Sequence, residues 1–170
     1  MKTWGKKGHT PVIKSAGGWK TRTLMGMILY TPRTKTADNY LWIKKKAVKK
    51  EDILSMLRDL KKKHQHEKFI LLLDGLAAHW ARIVKDFVEG NKYWLSAYRF
   101  PAYAPELNPQ EYQWSSLKRK DLGNYCPPTM EALEKKVRQG CNRMKKNQKL
   151  LKGFLKKSGL WSVEELGEEQ

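Results

Sequence analysis

Apolar positions recur along this chain in two rhythms, and each change of rhythm marks a change of element. From residue 50 to 65, Ile53, Leu54, Met56, Leu57 and Leu60 fall at helical spacing with Lys and Arg opposite them, which predicts an amphipathic helix. Asp52 in its first turn and Lys61, Lys62 and Lys63 in its last suit the helix dipole. A second helix is predicted over 79–88, with Trp80, Ile83, Val84, Phe87 and Val88 on its apolar stripe. A third runs over 108–121, where Asn108 is placed to cap and Pro109 takes the first helical position. A fourth begins at Pro127-Pro128-Thr129 and carries Met130, Leu133, Val137, Cys141 and Met144 on one face; a shorter basic helix spans 147–157.

Between these lie the strand signals. Thr10 to Lys14, a turn at Ala16-Gly17-Gly18, and Thr21 to Tyr30 read as a hairpin, although Gly26 weakens or kinks its second strand. Asn39 to Lys44 reads as a further strand, as does Tyr93 to Tyr98. Phe69-Ile70-Leu71-Leu72-Leu73 is too short for a buried helix and does not alternate, so a central strand covered on both faces is expected. Helix alternating with strand predicts an α/β fold with at least one parallel crossover. No internal repeat or linker divides the chain.

Charge changes the picture most. Lys and Arg number 35 against 17 Asp and Glu, a formal +18, and the last ten residues hold four Glu and no base. Such a domain faces a polyanion, with nucleic acid the first candidate. An anionic membrane surface is the second, but no apolar run approaches a spanning length. The N-terminus lacks the apolar core of a signal peptide, and a cytoplasmic protein is expected. Cys126 and Cys141 have no metal-type spacing and read as two buried, reduced thiols. His64 and His66 allow a metal pair or, more simply, solvated residues in a helix-to-strand connection.

Two acids stand out. Asp74 ends the apolar strand, where α/β sheets gather functional groups. Glu111 follows after 36 intervening residues, at a helix start beyond the next strand. Converging carboxylates in a basic domain fit divalent-metal phosphoryl transfer, with hard oxygens for Mg²⁺ and Lys and Arg for the phosphates. Asn108-x-x-Glu111 is equally a capping-box pattern, and Asp74 equally an acid at a strand-to-helix turn. Glycoside hydrolysis also uses paired carboxylates, but a neutral sugar gives no reason for the positive charge.

Leu73-Asp74-Gly75-Leu76-Ala77-Ala78-His79, followed by Pro101-Ala102-Tyr103-Ala104-Pro105-Glu106-Leu107-Asn108-Pro109-Gln110-Glu111-Tyr112-Gln113-Trp114, resembles the insertion-sequence transposases of the Tc/mariner superfamily. Trp4-Gly5-Lys6-Lys7-Gly8-His9-Thr10-Pro11 is similar to the segment that follows the first acid there, so the resemblance covers roughly residues 4–120. It implies a ribonuclease H-like mixed sheet flanked by helices, with three acids (the DDE or DDD set) holding two Mg²⁺ or Mn²⁺. Asp74 would be the second acid and Glu111 the third, both catalytic and both metal ligands. The implied chemistry is hydrolysis at the end of a DNA element, then attack of the freed 3′-hydroxyl on target DNA.

The same resemblance sets an expectation of incompleteness. The family's first acid lies just upstream of the Trp-x-x-x-Gly segment, and only Met1-Lys2-Thr3 precede Trp4. The first Asp, most of its central strand and the helix-turn-helix region are therefore expected to be missing, and Asp38, Asp52 and Asp59 do not replace that acid. Gly75 also stands where Asn is usual. The expected arrangement is a partial catalytic domain over 1–125, a basic helical extension packing on it over 126–160, and an acidic tail over 161–170. Metal binding is expected to be weak or absent and the chain inert alone. An upstream reading-frame product or a homodimer is the expected protein partner. A non-catalytic nucleic-acid-binding protein is the alternative. His79, Lys118, Arg119, Lys145 and Lys146 are the candidates for DNA contact, and residues 135–157 carry ten Lys and Arg with no acid.

Overall fold

The structure is a computed structural model and describes residues 6–9 and 21–161. The predicted strand at 10–14 and turn at 16–18 lie outside the described residues. Strands β1 (Thr23–Thr31) and β2 (Thr36–Lys44) form an antiparallel hairpin, in register from Thr23 opposite Lys44 to Thr31 opposite Thr36. Pro32 opens the connection and Lys35 closes it in the left-handed region at φ 51°, its N–H donating to the Pro32 carbonyl at 3.2 Å. Among the described residues, the 21–30 segment pairs with the strand that follows it.

Both faces of this hairpin are covered, which is why its apolar residues run together instead of alternating. Met25, Met27 and Trp42 point to α1 (Lys50–Lys63), joining Ile53, Met56, Leu57 and Leu60 in one core. Leu24, Ile28, Tyr30, Leu41 and Ile43 point the other way, into a second core built by the later helices. The helix α1 starts where Asp52 accepts a hydrogen bond from the Lys49 N–H at 3.0 Å.

Strand β3 (Phe69–Leu73) follows, and β4 (Leu95–Arg99) pairs with it in parallel, with Leu73 opposite Arg99. The crossover contains a 3₁₀ turn at Ala77–Trp80 and helix α2 (Arg82–Glu89). Leu71, Leu73, Leu95 and Trp94 join the α1 core. Among the described residues the two strand pairs are separate sheets, both packed through α1. Covering of β3 on both faces, expected from its unbroken apolar run, is not found: Ile70 is 75% exposed, because the α1 core receives only the Leu71 and Leu73 face.

Helix α3 (Pro109–Ser116) is capped by Asn108, whose side chain accepts from the Gln110 N–H at 3.0 Å. It does not continue as a regular helix to residue 121. Leu117–Asp121 is a π-helical turn closed by the Leu122 N–H on the Leu117 carbonyl. The wider turn keeps Leu117 buried while Asp121 reaches Arg143 of α4 (Met130–Lys145), in a two-pronged ion pair at 2.7 and 3.1 Å. Gly140 allows this approach, since a Cβ there would fall 2.6 Å from Leu117 and 2.8 Å from Asp121. Helix α5 (Gln148–Lys157) completes the second core with Leu151, Phe154 and Leu155, and Gln148 hydrogen-bonds both backbone groups of Ala37 on β2. Among the described residues no helix is long and apolar enough to cross a membrane. The fold is α/β, ribonuclease H-like.

Candidate metal centre and its surroundings

Asp74 is the first residue beyond β3. Its neighbours are drawn back onto it by three contacts that explain why the chain does not enter a helix at His79. The Leu76 N–H donates to Asp74 Oδ1 at 3.0 Å, and the Trp80 indole N–H donates to the Asp74 carbonyl at 2.7 Å. His79 Nδ1 lies 2.8 Å from the same Oδ1, off the line of a directed hydrogen bond. These side chains must reach backward to the strand end. A 3₁₀ turn over 77–80 allows that, and α2 begins only after Ala81, whose ψ of 146° is extended. The helix expected over 79–88 is therefore shorter, and Trp80 serves the strand end as well as the core.

The Asp74 carboxyl is held below the usual range. The His79 contact is the largest influence, with partial burial opposing it and the Leu76 N–H and the Arg99 charge adding to it. Both contacts to the carboxylate fall on Oδ1, leaving Oδ2 outside them, and the side chain is 51% exposed. The hard oxygens of an ionised, half-exposed carboxylate suit Mg²⁺ or Mn²⁺. Arg99, across the strand pair, lies over the Trp80 ring at 5.9 Å and crowds the space beside Gly75, where a Cβ would sit 2.7 Å from its guanidinium. Sequence reasoning passed over Trp80 and Arg99 as site residues. Only the β3–β4 register, which has no local sequence signal, places Arg99 beside the acid.

Glu111 sits in the first turn of α3 and is exposed. The capping box is not formed. The Asn108 N–H donates to the Pro105 carbonyl at 3.0 Å, so the group that Glu111 would fold back to accept from is already engaged. The Glu111 carboxylate projects from a helix start with hard oxygens to offer. The helix carrying it is fixed against β1 at Gly26, where a Cβ would lie 2.6 Å from the Trp114 ring; Trp114 is a packing residue and Gly26 the gap it fills. Among the described residues no group of three His, Cys, Asp or Glu comes together as a metal site.

The basic candidates fall into two places. Lys118 and Arg119 are exposed on the π turn that follows α3. Lys145 ends α4, pairs with Asp38 at 3.0 Å and lies over the Tyr40 ring, while Lys146 is exposed at the helix end. His64 is not a solvated residue: it contacts Glu67 at 3.0 Å and Tyr40 at 3.2 Å and meets Phe69 edge-on. His66 is exposed. Of the two cysteines only Cys141 is buried; Cys126 is exposed, in the stretch between the π turn and α4.

A sequence profile of the DDE superfamily endonucleases matches residues 1–134. Among curated proteins none matches the chain. Similar solved structures include the Mos1 mariner paired-end complex with Mn, at 17% identity and TM-score 0.53, covering 95% of this chain and 52% of that one. The Mos1 strand transfer complex is similar at 16% identity and TM-score 0.56, covering 95% of this chain and 50% of that one. The Mos1 transposase catalytic domain with raltegravir and Mg gives 16% identity and TM-score 0.50, covering 83% and 78%. This chain spans about half the length of the two mariner complex chains it matches.

Proposed function

Because the chain belongs to the DDE superfamily endonucleases, we propose that it is part of the catalytic domain of a mariner-type DNA transposase, with Asp74 and Glu111 as two of its metal-ligating carboxylates. The observation that carries this is the strand end at Asp74: an acid kept ionised, half exposed, with its Leu76 and His79 contacts on one oxygen, in a chain of net charge +18. Two Mg²⁺ or Mn²⁺ ions bound there would supply activation of the attacking oxygen and stabilisation of the leaving one.

The protein's own part is positioning. His79 and the Leu76 N–H hold one carboxylate oxygen of Asp74, which orients the other. Arg99, over the Trp80 ring, places a positive charge beside the acid, where a phosphodiester would be drawn. Lys118, Arg119 and Lys146 extend that attraction along the backbone of DNA without reading bases, so binding falls steeply with salt. A mariner-type acid set has three members. With two, we propose that these 170 residues bind metal weakly and neither cleave nor join DNA alone. An upstream reading-frame product or a second copy of the chain is its proposed protein partner, in the cytoplasm of a cell carrying the insertion sequence.

The test is a Mn²⁺ titration followed by electron paramagnetic resonance on the wild type, Asp74→Ala, Glu111→Ala and the double variant. The proposal expects a weak site lost in each variant. A protein that binds DNA with no Mn²⁺ site, or with one indifferent to both substitutions, is a non-catalytic nucleic-acid binder. Asp74-dependent nicking by the 170-residue chain alone would overturn the claim of inertness.

A further inference from the structure

Tyr103 is the most exposed large hydrophobic residue among the described residues, at 102% of its reference area. Its backbone also lies in the left-handed region, at φ 59°. A bulky residue there is strained, and Gly or Asn relieves the strain. Of the other positive-φ positions outside glycine, Lys35 closes a hairpin turn and Asn124 is a residue type that tolerates the conformation. Tyr103 carries both strain and a bare ring, and makes no packing contact that compensates.

The ring is not on a loose tip. The Phe100 N–H donates to the Leu73 carbonyl at 2.9 Å, tying the start of this connection to the residue before Asp74. Beyond Tyr103, the Leu107 N–H donates to Ala104, the Asn108 N–H to Pro105, and the Tyr112 hydroxyl to the Glu106 carbonyl at 3.0 Å. Three residues past Phe100, the Tyr103 backbone is within about 11 Å of Phe100. The segment that joins the Asp74 strand layer to the Glu111 helix therefore holds an aromatic face out to solvent in a braced, strained conformation.

We propose that Tyr103 is a stacking platform for an unpaired DNA base next to the bond being processed. The inference rests on the transposase reading above and names a contact within it. In a duplex each base face is already covered by its neighbours, so a flat ring beside the phosphate site gains a partner only where a base is unstacked. Stacking on an aromatic side chain tolerates any base and is lost on truncation to Ala. The high positive charge of the domain selects nucleic acid over an apolar protein surface as the occupant.

The experiment compares a short duplex ending in a few unpaired nucleotides, with 2-aminopurine among them, against the same duplex fully paired. Anisotropy is measured for wild type, Tyr103→Ala, Tyr103→Phe and Tyr103→Gly, with melting temperatures and sedimentation of each. The expected result is roughly a tenfold loss for the overhang DNA in Tyr103→Ala and Tyr103→Gly. Paired duplex should change less than twofold, Tyr103→Phe should bind as wild type, and 2-aminopurine should be quenched only when a ring is present. Tyr103→Gly should melt at or above the wild type, which separates lost binding from lost folding. Equal loss on both DNAs, or no loss with duplex binding intact, overturns the platform and leaves the transposase reading standing. Failure of the wild type to bind either DNA overturns both. A change in sedimentation with DNA binding untouched assigns the ring to a protein contact instead.

Discussion

Substituting Gly26 by Ala tests the way the candidate site is held. A Cβ at position 26 would lie 2.6 and 2.8 Å from two ring carbons of Trp114 and 2.7 Å from the Gln110 side-chain nitrogen. The glutamine can swing aside. The indole cannot, because its helix continues into buried Leu117 and the Asp121–Arg143 pair. Overpacking of this kind costs about 1–3 kcal/mol, and Ala offsets roughly 0.5–1 of that through a less flexible strand. The net is a loss of about 1.5 kcal/mol, or about 3–6 °C in Tm for a chain of this size. Urea unfolding followed by tryptophan fluorescence reads it directly. Trp114→Phe removes the colliding carbons, so in a double-mutant cycle the pair should be at least about 1 kcal/mol less destabilised than the sum of the singles. A Gly26→Ala protein as stable as the wild type, or strictly additive effects, would refute the packing argument.

Other expectations follow from the same geometry. Gly140→Ala should destabilise by a similar amount, since its Cβ meets Leu117 and Asp121, whereas Gly75→Ala should be nearly neutral because only the mobile Arg99 guanidinium stands in the way. Asp74 has a depressed folded pKa, so its contribution is complete above the ordinary value of about 3.9 and vanishes as pH falls through the lower folded one; Asp74→Asn should flatten that acid limb in a pH series of melts. Burial pushes the Cys141 thiol up to about 11, with Asp121 adding to it. Stability is then full below about pH 9 and lost as pH rises toward 11, by up to about 3 kcal/mol, and Cys141→Ala should remove that slope. Arg143→Ala, which leaves Asp121 half of a partly buried pair, should cost about 1–3 kcal/mol by chemical denaturation.

Most helices were legible in the sequence because each buries a single stripe: the spacing of Ile53, Met56, Leu57 and Leu60 alone states the face of α1, as that of Val137, Cys141 and Met144 does for α4. Element ends were less so, and for reasons of side-chain reach. Trp80 has the spacing of a helix residue but bonds a carbonyl six positions earlier, and that bond outweighs the helical pattern. Leu117–Asp121 widens into a π turn because Arg143, 22 residues on, fixes Asp121. The opposite faces of β3 could not be told apart, since Ile70 and Leu71 are alike in sequence and differ only in what lies above them. The placement of Asp74 at a strand end and of Glu111 at a helix start was legible. The bonds that hold Asp74, and the engaged Asn108 N–H that leaves Glu111 outside a capping box, join residues whose contacts no local pattern encodes.

Among the described residues, the two strand pairs meet across α1 through side chains alone, without a shared row of backbone hydrogen bonds. Among the described residues no ladder bond joins the two pairs, and methyl and thioether groups such as Met25 and Met56 make the contact between them. Asp74 rides on one pair and the helix bearing Glu111 rests on the other. Among the described residues, the placement of one acid relative to the other thus passes through side-chain packing on α1.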